Sequence, residues 1–179
     1  MKKLLLTTSA LALASFGAQA ANQGLTGPTS TGDLEVSMDI VEEVKVSNLA
    51  DIALGQYVPG GGNLVGNSPA CVHYNNATTY TIQFDSTNGA GAGFTLDDGA
   101  ANTVPYTVEY DDTQGGGFIS ISDGVSANVD GADTANNDDC ATLGSDNGDI
   151  RATVTDVGLL GVPNGTYTDT LVVTVSPNP

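Results

Sequence analysis

Positive charge is almost missing from this chain: four Lys and Arg residues stand against 21 Asp and Glu. Lys2 and Lys3 lie at the very start, which leaves Lys45 and Arg151 for the rest. That balance argues against binding a phosphate backbone or an anionic membrane, and favours solubility or cation binding. It also permits few ion pairs, so stability must come from apolar burial, backbone hydrogen bonds and any covalent link. Histidine is as scarce. The one histidine, His73, reads as a surface or filler residue beside a strand. With no G-x-S-x-G, H-E-x-x-H or phosphate-cradling G-x-x-x-x-G-K-[ST], no nucleophile–base pair can be named, and an enzyme is not expected. Paired carboxylates such as Asp97-Asp98 and Asp111-Asp112 are expected by chance in so acidic a chain, and both sit in turn-like sequence. Helical periodicity is missing too, because no long window carries a sustained i, i+3, i+4, i+7 apolar stripe.

What is present begins with MKKLLLTTSALALASFGAQA. Two lysines, a short apolar stretch from Leu4 to Phe16 and the small-x-small step Ala18-Gln19-Ala20 have the form of a secretory signal peptide over residues 1–20. The apolar stretch is too short to span a bilayer, and no later run approaches that length, so no membrane insertion is expected. The expected product is exported, and roughly 160 residues remain, the size of one domain. Two cations then face 21 acids, a formal charge of −19. The two cysteines, Cys71 and Cys140, lie in a chain bound for an oxidising compartment, where pairing is the common outcome and two free thiols the alternative. A link between them would close a loop of about 70 residues and add roughly 4 kcal/mol by chain entropy.

Short β-branched runs alternate with Gly, Asn, Asp and Ser clusters, the pattern of a β-sandwich or barrel. Residues 21–33 form a polar, glycine-rich leader that should be mobile. Leu34, Val36, Met38 and Ile40 alternate with Glu35, Ser37 and Asp39, so the four would share one face of an extended strand. Further extended pieces are expected at Val41–Ser47, at Leu49–Leu54 up to Gly55, and at Thr79–Phe84, followed by Val104–Tyr110, Phe118–Ile121 and Ile150–Val157. The strongest is Thr166–Ser176, with Tyr167, Leu171, Val173 and Val175 in phase. Val172 breaks its polar side, which predicts cover on both faces there. Residues 122–149 read as one long irregular acidic loop.

Two segments invite function. The acidic loop gathers Asp130, Asp133, Asp138, Asp139, Asp146 and Asp149, oxygen ligands of the kind a hard cation wants. It does not fit the D-x-[DN]-x-[DN]-G-x5-E pattern, and a solvated loop satisfying turn geometry explains the same composition. No cofactor is expected, and calcium at Asp130, Asp133, Asp138 and Asp139 stands as a weak alternative. The second segment is Leu34–Ile40. An alternating strand on a tether suits β-strand addition to a neighbour's sheet. It could equally be the first strand of its own domain, and composition leaves both readings open.

The chain also resembles a family. Thr31–Ile40 is similar to the donor segment of archaic chaperone–usher pilins, the spore coat protein U-like family. Leu49–Gly55 resembles that family's short strand ending in an apolar-Gly step, and Cys71 followed by Thr79-Tyr80-Thr81-Ile82 resembles its Cys-then-Tyr-Thr-Ile strand. Val104–Asp111 is similar to its Tyr-x-Val-Tyr-x-Asp strand. Residues 165–175 resemble its terminal Gly-x-Tyr-x-Asp-Thr-Leu-x-Val-Thr-Val signature. Two features depart from the pattern: Val41–Asn48 lacks the usual early cysteine, and the chain ends in Ser176-Pro177-Asn178-Pro179 rather than an aromatic.

The resemblance implies an all-β, immunoglobulin-like sandwich over residues 41–179 that lacks one strand. It implies a groove beside Tyr167, Leu171, Val173 and Val175, and a donor segment at 34–40. The implied partners are other pilin copies, a periplasmic chaperone and an outer-membrane usher, at the cell surface. Burying Leu34, Val36, Met38 and Ile40 in such a groove would contribute roughly 1.5–3 kcal/mol each. A self-complete secreted β-sandwich binding calcium or a surface ligand is the alternative.

Overall fold

The computed structural model describes residues 21–89, 91–112, 117–134, 140 and 146–178. The expected signal peptide, Asp138 and Asp139 therefore lie outside the described residues. Contacts divide the chain into two units, with the boundary between Ile40 and Val41.

Within the first unit the leader closes into a loop. The Asn22 N–H donates to the Asp33 carbonyl at 2.9 Å and the Asp33 N–H returns to the Asn22 carbonyl at 3.0 Å. Residues 34–40 beyond it belong to no ladder, and Leu34, Val36, Met38 and Ile40 are all strongly exposed, from 73% to 87%.

The second unit is all-β. Its strands are β1 (Val44–Ser47), β2 (Leu64–Tyr74), β3 (Tyr80–Ser86), β4 (Thr95–Asp97), β5 (Thr103–Pro105), β6 (Thr107–Asp111), β7 (Ile119–Ile121), β8 (Ala127–Val129), β9 (Gly148–Val154) and β10 (Leu171–Pro177). A 3-10 turn, Val157–Leu159, follows β9. One sheet runs β1-β2-β9-β6-β7, the other β10-β3-β8, and β4 pairs with β5 as a small ribbon. The ladders among them are antiparallel.

Period-two alternation builds the core. β3 and β9 each bury every second residue, and their inward faces meet across the sandwich. Tyr80, Ile82 and Phe84 from one sheet pack with Val72, Val108, Tyr110, Ile150 and Val154 from the other. The hydroxyls of Tyr80 and Tyr110 hydrogen-bond at 2.7 Å, so the buried polar ends are satisfied together. Burial raises both phenols, Tyr110 to about 12. Gly148 starts β9 without a side chain for a reason: a Cβ there would collide with the Tyr110 ring and hydroxyl.

Cys71 and Cys140 are joined by a disulfide, with Cα atoms 5.8 Å apart. It fastens β2 to the segment before β9. Beside it, the β2–β9 ladder ends at Ala70↔Gly148, and the Asn147 side chain carries on the pairing. Its carboxamide accepts from the Val72 N–H and donates to the Val72 carbonyl, both at 2.8 Å, and donates to Gly131 at 2.7 Å.

Several expectations need correction. β2 is the longest strand, yet Gly66, Asn67 and Pro69 disguise it as a turn. Val104–Tyr110 is two strands, broken where the Tyr106 N–H turns to the Phe94 carbonyl at 3.0 Å. The acidic stretch 122–149 is not wholly irregular, since it holds β8 and the start of β9, and Asp123 and Asp133 are buried in it. Of the two readings of His73, surface or filler, burial fits the second, and the residue lies within β2 rather than beside a strand. Leu49–Leu54 joins no ladder. Thr166–Ser176 joins the β3 ladder only from Leu171 onward, its Thr168 bridging Asp97 instead, and Val172 is exposed on one side rather than covered on both.

Candidate functional site: an apolar cleft beside the last strand

β10 is the edge of its sheet. It pairs with β3 over seven residues, Leu171↔Ser86 to Pro177↔Tyr80, and among the described residues no second strand is hydrogen-bonded to it, although β1 of the other sheet comes close. Every second N–H and C=O of an edge strand points away from the ladder and needs another partner. Direct register places Val173 beside Phe84 and Val175 beside Ile82 on the inward face. Phe84 and Ile82 are fully buried, whereas Leu171, Val173 and Val175 are only half-buried.

The incomplete cover comes from an open cleft. A cavity of about 270 Å³ is walled by Leu171 and Val173 on one side and by Leu49, Ile52 and Leu54 on the other. Ile150 and Ala152 of β9, with Tyr106, form its floor. It shares Ile52, Leu54, Leu96 and Asp169 with a second cavity of about 830 Å³ that runs toward Tyr57, Leu64, Val154 and Tyr167. The two adjoin as one trough, apolar beside β10 and more mixed beyond, where Gln56, Asn164, Thr166 and Thr168 join the lining.

The wall at 49–54 follows β1, whose ladder ends at Ser47; the chain departs at Asn48, which takes a left-handed backbone with φ of 62°. From there the Ala50 N–H bonds the Ser68 hydroxyl at 2.8 Å instead of a neighbouring carbonyl. The segment still presses on β2: a Cβ at Gly66 would sit 2.7 Å from Ile52 Cγ2 and 3.2 Å from the Ala53 carbonyl oxygen. Glycine at 66 makes room for that wall.

Asp169 fastens the head of the trough, just before β10. Its carboxylate accepts from the Ser86 hydroxyl at 2.6 Å, the Tyr106 hydroxyl at 2.7 Å and the Thr87 hydroxyl at 2.9 Å. Partial burial alone would raise its pKa, but the hydrogen bonds from Ser86, Tyr106 and Thr87 outweigh it and hold the carboxyl below its usual range. The same bond to Asp169, added to burial, pushes the Tyr106 phenol far up. Asp169 therefore keeps a negative charge at the junction of the two cavities.

Of the residues expected on the terminal strand, Leu171 and Val173 line the first cavity and Val175 packs against the core. Tyr167 is not on the strand. It lies on the lead-in, where Thr168 bridges Asp97 and the Tyr167 hydroxyl donates to the Pro163 carbonyl at 2.9 Å, and it lines the second cavity. Leu34, Val36, Met38 and Ile40 lie in the other unit, all strongly exposed. In the acidic loop, the Asp133 main chain is committed to β2, its carbonyl accepting from the Tyr74 N–H at 2.9 Å, while Asp130 is exposed with its N–H on Asp112. Sequence reasoning missed Asp169 and the wall residues Ile52 and Leu54 as parts of one site. Asp169 is the acid of the terminal signature, but its partners could not be read there, because Ser86 and Tyr106 reach it from far along the chain.

No protein-family model matches this chain, and no curated protein matches it. Solved structures do. A chain of a chaperone–tip adhesin complex of CFA/I fimbriae is 16% identical with a TM-score of 0.52, over 75% of this chain and 42% of that one. CfaE, the adhesive subunit of the CFA/I fimbria of enterotoxigenic Escherichia coli, is 17% identical with a TM-score of 0.47, over 69% and 39%. The fold is a β-sandwich of the fimbrial type. This chain spans less than half the length of either neighbour.

Proposed function

We propose that this chain is a structural subunit of a surface fimbria, joined head to tail by donor-strand complementation. The observation that carries the reading is the free edge of β10 beside an apolar trough, with its inward residues half-buried. The occupant is residues Leu34–Ile40 of a second copy. Seven residues in extended form reach about 23 Å, matching the seven residues of β10. Their alternation puts Leu34, Val36, Met38 and Ile40 toward the trough and Glu35, Ser37 and Asp39 toward water. A link from the front of one copy to the trough of the next is heterologous and does not close, so it yields a filament.

The chain's resemblance to archaic pilins of the spore coat protein U-like type, and its likeness in fold to a chain from a chaperone–adhesin complex, support the same route. In that route a periplasmic chaperone covers the trough until an outer-membrane usher hands it to the preceding subunit. Export would depend on residues 1–20 as a signal peptide. The role is structural, and no catalysis is assigned.

Removing residues 31–40 tests the reading. The truncated chain should fold on its chaperone and fail to extend a fibre, seen by electron microscopy of the cell surface. Fibres of normal length from the truncated chain would refute it.

A further inference from the structure

The two surfaces that would meet at the joint carry charge of one sign. The donor stretch bears Asp33, Glu35 and Asp39, followed closely by Glu42 and Glu43, with no cation before Lys45. Among the described residues, the charged groups lining the trough are Asp51 and Asp169, with no Lys or Arg. Around its far end stand Asp97 and Asp98, close enough to raise the Tyr167 phenol after the effect of its burial, and Asp156, which faces Tyr57. The cations among the described residues are Lys45 and Arg151. Arg151 is committed to Glu109 at 2.8 Å and lies 3.8 Å over the Phe118 ring, and Lys45 sits on β1 opposite His73.

Resting on the fimbrial reading, we propose that ionic strength controls the joining of copies. Apolar burial drives the donor into the trough, while repulsion between acidic copies opposes the encounter. Dissolved salt is the permissive factor. Most complementary protein pairs associate more slowly as salt rises, because steering is screened. Here the sign reverses: screening removes a barrier, and subunits join faster in salt. The carboxylates that matter most on the donor are Glu35 and Asp39, interleaved with the inserted residues.

The test follows polymer growth of the full chain after residue 20 by sedimentation velocity. Sodium chloride is raised from about 0.01 M to about 1 M, where the screening length falls from about 30 Å to about 3 Å. The growth rate should rise about tenfold or more. Glu35→Gln combined with Asp39→Asn should lift the low-salt rate toward the high-salt rate and flatten the dependence. A rate that is flat in salt, or falls with it, overturns this inference and leaves the fimbrial reading standing. A neutralised variant that keeps the whole dependence also overturns it, since salt would then be acting through apolar contact. Leu34→Ala combined with Met38→Ala should abolish polymers at every salt concentration. Polymers that persist in that apolar variant, or unaltered chains that form none at any salt, would overturn the fimbrial reading together with this inference.

Discussion

β3 and β10 are neighbours in one sheet, seven residues each, paired end to end. Both alternate. Both present three large apolar groups inward: Tyr80, Ile82 and Phe84 against Leu171, Val173 and Val175. Yet the first three are fully buried and the second three are not. Residue type cannot account for the difference, because Leu and Val bury as readily as Ile. Position does. β3 has β10 on one side, β8 on the other and the facing sheet beneath. Among the described residues β10 has β3 alone as a ladder partner, with β1 of the other sheet close by and a cleft beside Leu171 and Val173. An apolar face left half-covered is a cost that a partner strand would relieve, and β10 is where the proposed donor would be received.

Four predictions, built on five substitutions, sharpen or break that contrast, the largest effect first. Phe84→Ala empties a fully buried site and should cost about 3–5 kcal/mol in the unjoined chain, read from denaturant unfolding. Val173→Ala, its neighbour across the ladder, should cost about 1 kcal/mol there and show its larger effect as weakened polymers. Equal costs at the two positions would break the comparison.

Val173→Asp comes next. It puts a carboxylate on the trough wall that still reaches water in the open cleft. The chain should remain folded while polymer growth stops. Growth at the normal rate would show that the trough receives nothing.

Third is the anchor at the head of β10. Asp169 has a depressed pKa in the fold, so its contribution is fully present above its unfolded value of about 4 and fades as pH falls through the lower folded value. Asp169→Asn should therefore lower Tm near neutral pH, and the gap from the unaltered chain should shrink on acidification below about pH 4. A gap that widens in acid would contradict the assigned hydrogen bonds. Fourth, Val172→Thr on the exposed outward face should shift stability by no more than about 0.5 kcal/mol.

The same contrast shows what a sequence can reveal. β3 and β9 were legible because clean alternation reports a face buried along its whole length. β10 was legible as a strand from Leu171 onward but overextended at its start. Tyr167-Thr168-Asp169-Thr170 alternates as a strand does, yet Thr168 bonds to Asp97 and Asp169 to Ser86 and Tyr106. β2 was illegible because Gly66 is there to admit Ile52, Asn67 bonds Asp149, and Pro69 reads as a breaker, each set by a distant neighbour. One wall of the trough was read as a strand at Leu49–Leu54. Its departure from the ladder depends on Asn48 and Ser68, which no local pattern announces.

Amide hydrogen exchange along β10 tests the central claim most directly. In the unjoined chain, the N–H groups of β10 that point away from β3 should exchange much faster than those of β3. In polymers they should become as slow as those of β3. If the β10 amides are already as protected as those of β3 in the unjoined chain, and joining leaves them unchanged, the edge is not an acceptor and the account fails.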